Sequence, residues 1–196
     1  GPSHRSVFTG LLHVRSLTRR PTDDRRECFV DDDEAFPCID QLPNLEKLAL
    51  SHTKMTGDTI SRLKRLPNLT YLHCSSIRDI TPLLEQLPVA THLEELAVDD
   101  THLTHTDLRS IAKLKKLRLL SIGGNNQVND DALAELKPLT NLAHLSAVGC
   151  PLTEKCVSTV RTFKRLRGLK LSYLNKNPFQ HVEAALKGIT IDNVGR

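Results

Sequence analysis

The chain has 196 residues, of which 39% are apolar and 26% are charged, and its formal net charge is +4. A chain of this length and composition can bury one continuous core, and it contains no apolar run long enough to cross a bilayer. Because it has no Trp, two Tyr and five Phe, it offers no evident platform for stacking nucleobases, so nucleic acid is not the partner we expect.

Residues 1–41 are predicted to form an N-terminal capping region. Residues 11–14 could supply an imperfect first strand, followed by a returning helix around Ile39. The segment between them, residues 18–35, is charged and poor in apolar residues, so we interpret it as an insertion in a first repeat. Its four consecutive acids at 31–34 could bind a cation or a basic partner, although such a run is most often a solvated loop.

Two apolar patterns recur through residues 42–171 at a common interval. The first is Leu-x-x-Leu-x-apolar, which starts at residues 45, 69, 93, 117, 142 and 166, at intervals of 24, 24, 24, 25 and 24 residues. In one copy, Leu96 and Val98 alternate with outward residues, which predicts a strand. The second pattern is a triplet spaced by three, such as Leu108, Ile111 and Leu114, which predicts a helix. Because one such unit cannot bury a core alone, the units must stack as a solenoid.

Polar and acidic residues mark the predicted helix starts. Such side chains can accept hydrogen bonds from free backbone amides, and acidic ones face the positive end of the helix dipole. The predicted starts are at Asp58, at Thr106 with Asp107, at Asn129 with Asp130, and at Thr153 with Glu154.

The period and motif of residues 42–171 resemble those of the leucine-rich repeat superfamily. The resemblance implies an α/β solenoid of about six or seven repeats, shaped as a horseshoe arc. Since a helix is about 10 Å wide and parallel strands stack at about 4.8 Å, the helices should line the convex side and the parallel sheet the concave side. Members of this superfamily serve as scaffolds, cytoskeletal components and ubiquitin-ligase receptors. The resemblance therefore implies a protein-interaction surface, but the fold does not identify the partner.

Residues 172–196 are predicted to be a C-terminal capping repeat or a truncated one. Leu186, Ile189 and Ile191 repeat the strand motif only 20 residues after Leu166. Because terminal repeats need polar caps, we expect either a short capping strand or a fragment of a longer protein, and we favour the fragment.

The five cysteines show no close pair at metal-ligand spacing. Cys74 occupies an inward strand position and is expected to be buried as a small apolar residue. Cys150 occupies the position held by Thr101 and Asn125 in other repeats, where an inward side chain typically bonds to backbone groups at the strand end. An odd number of cysteines without paired end caps favours a reduced, intracellular protein.

Strand alternation identifies the side chains that point outward from the concave sheet. Glu95, Asp99 and Asp100 form an acidic centre, flanked by Tyr71 and His73 as candidate anchors. The next two strands carry small and partly apolar side chains, so a partner that offers a basic residue beside a hydrophobic one would suit this surface. The alternative is that exposed Asp and His merely keep the sheet soluble. The full set of predicted partner-binding residues is His52, Tyr71, His73, Glu95, Asp99, Asp100, His144 and Tyr173.

Basic pairs at 64–65, 115–116 and 164–165 lie at the C-terminal ends of predicted helices, where cations offset the helix dipole. The alternative interpretation is an electrostatic stripe for nucleic acid or an acidic partner, whose binding would depend steeply on salt.

No residue pattern indicates catalysis. His73 points outward while the adjacent Cys74 points inward, which excludes a His–Cys pair there. The glycine-containing segment 123–126 lacks the third glycine and the Lys-Ser/Thr of a phosphate-binding loop. We therefore predict a non-enzymatic protein-interaction scaffold without cofactor, metal or small-molecule substrate. The alternatives are the substrate-receptor part of a ubiquitin ligase, which would need an F-box-like segment that this chain lacks, and a binder of nucleic acid or anionic surfaces.

Overall fold

A computed structural model describes residues 27–30, 44–51, 66–87, 92–172 and 186–194. Over these residues, eight strands form one parallel sheet whose spatial order follows the chain. The strands are β1 (Glu27–Val30), β2 (Lys47–Ser51), β3 (Tyr71–Ser75), β4 (Glu95–Ala97), β5 (Leu119–Ser121), β6 (His144–Ala147), β7 (Gly168–Ser172) and β8 (Thr190–Val194). The helices described are α1 (Thr81–Gln86), α2 (His105–Ile111), α3 (Asp130–Ala134) and α4 (Cys156–Val160). This alternation of strands and helices confirms the predicted α/β solenoid.

The strand register places the repeated leucines in one buried column. Each member is in register with the next along the sheet, and none is more than 1% exposed. From the other side, helix residues such as Leu108 and Ile111 close the same core and are themselves fully buried. The core is therefore continuous along the repeats, as nearest-neighbour stacking requires. The column consists of Leu48, Leu72, Leu96, Leu120, Leu145 and Leu169.

The first described strand lies inside the segment expected to be an insertion. In β1, Cys28 is in register with Leu48, and Val30 is in register with Leu50. Part of residues 18–35 thus belongs to the sheet, because these four residues alternate as a strand does although they lack the leucine motif. The strand expected at residues 11–14 lies outside the described residues.

The last described strand, β8, differs in register from the strand that the sequence predicts there. In β8, Ile191 is in register with Leu169, an interval of 22 residues. Leu186 is buried, and its carbonyl accepts from the N–H of Ile189 at 3.1 Å, the same contact that Phe163 makes one repeat earlier. Leu186 therefore occupies the connection before the strand, and the motif match from 186 placed the strand two residues out of register.

The start of α2 is set by a reciprocal cap. The N–H of Asp107 donates to the hydroxyl of Thr104 at 3.3 Å, while the N–H of Thr104 donates to the Asp107 carboxylate at 2.8 Å. This capping box satisfies two amides that a helix start leaves free. It begins the helix at His105, slightly before the predicted start. Asn129 caps α3 as predicted, its Oδ1 accepting from the N–H of Ala132 at 2.9 Å.

The predicted start of α4 differs from the observed one. The helix begins at Cys156 and has no side-chain cap. Thr153 instead bonds to the preceding repeat, where its hydroxyl donates to Asp130 at 2.6 Å and its N–H donates to the same carboxylate at 3.0 Å. Thr153 therefore joins neighbouring repeats, and its hydroxyl also accepts from the N–H of Lys155 at 3.3 Å, so it pairs one amide just before α4. The helix start predicted at Asp58 lies outside the described residues.

Candidate functional site

The side of the sheet away from the buried leucines, called here the open face, carries two rows of side chains that run across the strands. The first row contains mostly larger side chains, and the second contains mostly small ones. In register, the first row is Lys47, Tyr71, Glu95, Leu119, His144, Gly168 and Thr190. The second row is Ala49, His73, Ala97, Ser121, Ser146, Lys170 and Asp192.

Three small residues in the second row form a shallow channel across the middle of the open face. Ala97, Ser121 and Ser146 are each less than 10% exposed, so the residues around them cover most of their surface. The half-buried side chains of His73 and Lys170 mark its two ends. Four strand spacings separate those ends, a distance of about 19 Å. A channel of this length matches about six residues of an extended peptide.

Asp99 is held at the end of β4 by the next repeat. Its Oδ1 accepts from the hydroxyl of Ser121 at 2.7 Å and from the N–H of Gly123 at 2.5 Å. Gly123 has no side chain, and a Cβ there would stand 2.9 Å from the same oxygen and 3.0 Å from the carbonyl of Val148. The lack of a side chain at 123 therefore lets the Asp99 carboxylate lie flat against the neighbouring strand end.

Burial sets the protonation behaviour of Asp99 and His73. Desolvation raises the pKa of Asp99, although the hydrogen bonds from Ser121 and Gly123 and the charge of His73 oppose the shift. Desolvation also lowers the pKa of His73, against the attraction of Asp99. Both groups thus face each other across adjacent strands with their charged forms disfavoured by burial. Such paired perturbation is typical of functional surfaces, although structural networks also produce it.

Asp100 belongs to a column of left-handed residues that ends successive strands. Ser76, Asp100, Gly124 and Gly149 have φ values of +56°, +55°, +68° and +79°. Glycine adopts this conformation without strain, whereas Asp and Ser do so at a cost. The Asp100 carboxylate occupies the space that a side chain at Gly124 would fill. Asp100 is exposed, so its charge points away from the sheet toward solvent or a partner.

Glu95 and Asp100 keep their charges uncompensated within the part of the chain that the structure describes. Neither carboxylate makes a salt bridge or hydrogen bond with a described residue. Leu119, half-exposed, lies in register beside Glu95. The acidic centre of Glu95, Asp99 and Asp100 therefore adjoins an apolar side chain, which is the combination that the sequence predicts.

Behind the acidic centre, buried polar side chains hold the strand ends in place. The Oδ1 of Asn125 accepts from the N–H groups of Thr101 and Leu103 at 3.1 and 3.0 Å, and its Nδ2 donates to the carbonyls of Val98 and Ile122 at 3.0 and 2.9 Å. One repeat before, the hydroxyl of Thr101 donates to Val98 at 2.8 Å. One repeat after, the thiol of Cys150 donates to the carbonyl of Ile122 at 3.1 Å. This confirms the predicted inward polar position in three repeats.

Comparison with known proteins addresses the fold. No protein-family model matches the chain. An internalin, InlF of Listeria monocytogenes strain 4b F2365, is similar in structure with a TM-score of 0.52 and 22% sequence identity over 82% of this chain. That protein is a leucine-rich repeat protein. This chain has the leucine-rich repeat fold. It spans about half of the internalin chain, 51%, and at this identity the likeness shows the fold alone.

The leucine-rich repeat register brings some of the predicted site residues together and separates others. Tyr71 and Glu95 are adjacent in register, and His73 faces Asp99. His144 lies two strands from Glu95, so it is not part of the acidic centre. A Cβ at Gly168 would come within 2.5 Å of the His144 ring. The lack of a side chain at Gly168 therefore leaves space for the imidazole of the preceding repeat. Two predicted residues, His52 and Tyr173, lie outside the described residues.

The sequence did not assign roles to Ser121 and Gly123, although both bind Asp99. The available signal was their spacing from Asp99, 22 and 24 residues, which places them beside it in the next leucine-rich repeat. Leu119 lies on a strand predicted to be partly apolar, but it was not named among the predicted partner-binding residues. Its position directly after Glu95 in the first row could have identified it.

The described part of the leucine-rich repeat also contains metal-ligating and nucleophilic residue types outside the open face. There, no group of three or more His, Cys, Asp or Glu is placed to hold a metal ion. Cys74, Cys150 and Cys156 are buried free thiols, and burial raises the pKa of Cys150 and Cys156 to about 11. Protonated thiols of this kind are poor nucleophiles at neutral pH. No described helix is both long and apolar enough to span a membrane.

Proposed function

We propose that this chain is a non-catalytic protein-interaction scaffold whose open face binds a protein or peptide segment that carries a basic residue beside an apolar one. The observation that carries the proposal is the acidic centre, in which Glu95 and Asp100 have no compensating partner among the described residues and Leu119 lies alongside. Complementary charge gives specificity and faster association, while an apolar contact adds affinity. The leucine-rich repeat fold supports the proposal in general terms.

The geometry further supports an extended segment. The channel over Ala97, Ser121 and Ser146 has no bulky side chain in its floor, so a backbone could approach the sheet closely. His73 stands at one end of this channel, next to Asp99, and Tyr71 lies beside it in the first row. In this arrangement the basic side chain of the partner would meet Asp100 and Glu95, and its apolar neighbour would contact Leu119. Tyr71 would serve as the aromatic anchor that commonly contributes most to binding.

An intracellular location is part of this proposal. Three described cysteines are buried, reduced and separate from one another in the repeats. Structural disulfides are common in proteins that work in oxidising compartments, so unpaired thiols support a reducing environment.

The test uses two isosteric double variants of equal charge. Glu95→Gln with Asp100→Asn removes two charges from the acidic centre, and Asn tolerates the left-handed backbone at 100. Glu85→Gln with Glu154→Gln removes two exposed charges elsewhere and serves as the matched control. A displayed random-peptide library is selected against the unmodified chain, and the enriched peptides are then titrated against both variants.

We expect the enriched peptides to share a Lys or Arg next to an apolar residue. The first variant should bind them roughly tenfold more weakly, since two partly exposed charge pairs contribute about 1.4 kcal/mol together. The control should bind them as the unmodified chain does. Equal binding by both variants, or peptides without a basic residue, would show that the acidic centre is not the binding site.

A further inference from the structure

A second charged surface lies at the edge of the solenoid where the chain enters β7 and β8. Lys164, Arg165, Arg167 and Lys187 are all exposed there. None of their side chains makes a salt bridge or hydrogen bond with a residue that the structure describes. Residues 161–172 contain five Lys or Arg and not one Asp or Glu. These four exposed side chains therefore concentrate positive charge at this edge without a compensating partner among the described residues.

The helix dipole accounts for a basic residue elsewhere on this edge but not here. Lys115 donates to the carbonyl of Ala112, just past the end of α2, at 2.8 Å, as a cation that offsets a dipole should. By contrast, α4 ends at Val160 and has no basic residue in its last turn. Lys164 lies four residues beyond that end, as Lys115 does in its own repeat, but its side chain makes no hydrogen bond with a carbonyl of a described residue. The cations near β7 thus require another explanation.

A groove with an apolar floor lies among these cations. Its volume is about 520 Å³, and it is open to solvent. Phe163, Leu186 and Ile189 line its floor, while Arg161, Lys164 and Lys187 stand on its rim. Together these six residues are called the basic groove. It is formed by the connection from α4 to β7 and by the turn before β8, so it is separate from the open face.

We propose that the basic groove binds a short acidic peptide segment that carries one apolar side chain. Lys164 and Lys187 on the rim match the carboxylates of such a segment, and Ile189, which is half-buried, leaves apolar surface for its hydrophobic residue. A nucleic acid fits less well because Phe163 is only 3% exposed and cannot stack a base. The chain would then contact partners of opposite charge at two places, basic segments on the open face and acidic segments in the basic groove.

The test measures binding of a fluorescein-labelled peptide of four glutamates followed by a leucine to the full chain, by fluorescence anisotropy. Lys164→Glu with Lys187→Glu reverses two rim charges. Lys113→Glu with Lys137→Glu reverses two exposed lysines that also lack side-chain partners among the described residues. Each pair lowers the formal net charge from +4 to 0, so the two variants differ only in where the charge changed. Lys164→Gln with Lys187→Gln is a milder version, and circular dichroism verifies that each variant is folded.

We expect the variant with Lys164→Glu and Lys187→Glu to lose at least tenfold in affinity for the peptide and the glutamine variant to lose less. The affinity of the control with Lys113→Glu and Lys137→Glu should change less than twofold. A peptide with serine in place of leucine should bind several-fold more weakly, because it cannot use the apolar floor. Three results would overturn the proposal. They are no binding of the peptide, equal losses in both charge-reversed variants, and tighter binding of a single-stranded oligonucleotide with the same dependence on Lys164 and Lys187.

Discussion

Replacing Asn125 with Ala should destabilise the fold by about 4 kcal/mol. Asn125 is fully buried, and the N–H groups of Thr101 and Leu103 have its Oδ1 as their hydrogen-bond acceptor. The carbonyls that accept from its Nδ2 each have a second donor, so they would remain bonded. Ala would therefore leave two buried N–H groups unpaired, at about 1–3 kcal/mol each. Because Thr101 and Leu103 are at most 1% exposed, water cannot readily replace the lost acceptor.

The measurement is equilibrium unfolding in urea followed by far-ultraviolet circular dichroism, with hydrogen exchange at the Thr101 and Leu103 amides as a local readout. Thr101→Val is the matched control. It removes one hydroxyl donor to the carbonyl of Val98, which keeps its bond from Asn125, so the expected loss is only about 1 kcal/mol. If Asn125→Ala cost no more than Thr101→Val, or left exchange at the two amides unchanged, the assignment of Asn125 as their acceptor would be refuted.

Three further predictions concern single positions. Thr104→Ala should lower the free energy of unfolding by about 1 kcal/mol in the same urea titration, because it removes the cap that Thr104 shares with Asp107. Asp99→Asn should be neutral or stabilising at pH 7, since Asn keeps an acceptor oxygen and removes the charge whose burial raises the Asp99 pKa. The folded chain binds the Asp99 proton more tightly than the unfolded chain does, so the free energy of unfolding of the unmodified chain should fall as pH rises from about 4 through the raised pKa. A series of urea titrations at different pH values should show a smaller fall for the variant over the same window. Gly168→Ala should lower the free energy of unfolding by about 1–3 kcal/mol, because the new Cβ would overlap the His144 ring. In a background that already carries His144→Ala, thermal unfolding should show a smaller effect of Gly168→Ala.

The repeat itself could be predicted because its signal is local and recurs. Each Leu-x-x-Leu-x-apolar copy specifies a strand and its buried face, and a constant interval brings Leu96 beside Leu72 and Leu120 in the sheet. The inward polar position was predictable for the same reason, since Thr101 and Asn125 share it at a spacing of 24 residues.

The ends of the solenoid were harder to predict because they break the interval. β1 carries Cys28 at the register position where β2 to β7 have leucine. The charged composition of residues 18–35 therefore indicated an insertion more strongly than the alternation of these four residues indicated a strand. The shorter final repeat shifted the register of β8, because Leu186 matched a motif position that it does not occupy.

The acidic centre could be predicted as a set of outward residues, but not its electrostatics. The burial of Asp99 depends on how its side chain reaches Ser121 and Gly123 in the next repeat, which no local pattern encodes. The basic pair at 164–165 was interpreted from sequence as compensation of a helix dipole. Lys115 makes the expected hydrogen bond to a carbonyl past the end of α2, whereas Lys164 makes none with a described residue, and this difference depends on side-chain placement that the sequence pattern does not encode.

The fixed register of the sheet sets the distance between the two proposed binding surfaces. The acidic centre begins on β4 and the basic groove adjoins β7, so three strand spacings, roughly 14 Å, separate them along the sheet. The acidic centre is built from the repeats of β4 and β5 and the basic groove from those of β7 and β8, so the repeat of β6 lies between them and carries Ser146 of the channel. Removal of one intervening repeat would bring the two surfaces closer by one strand spacing, about 4.8 Å, while the contacts within each would persist. Insertion or loss of whole repeats could thus change which pairs of partner segments fit the chain without altering how either segment is recognised.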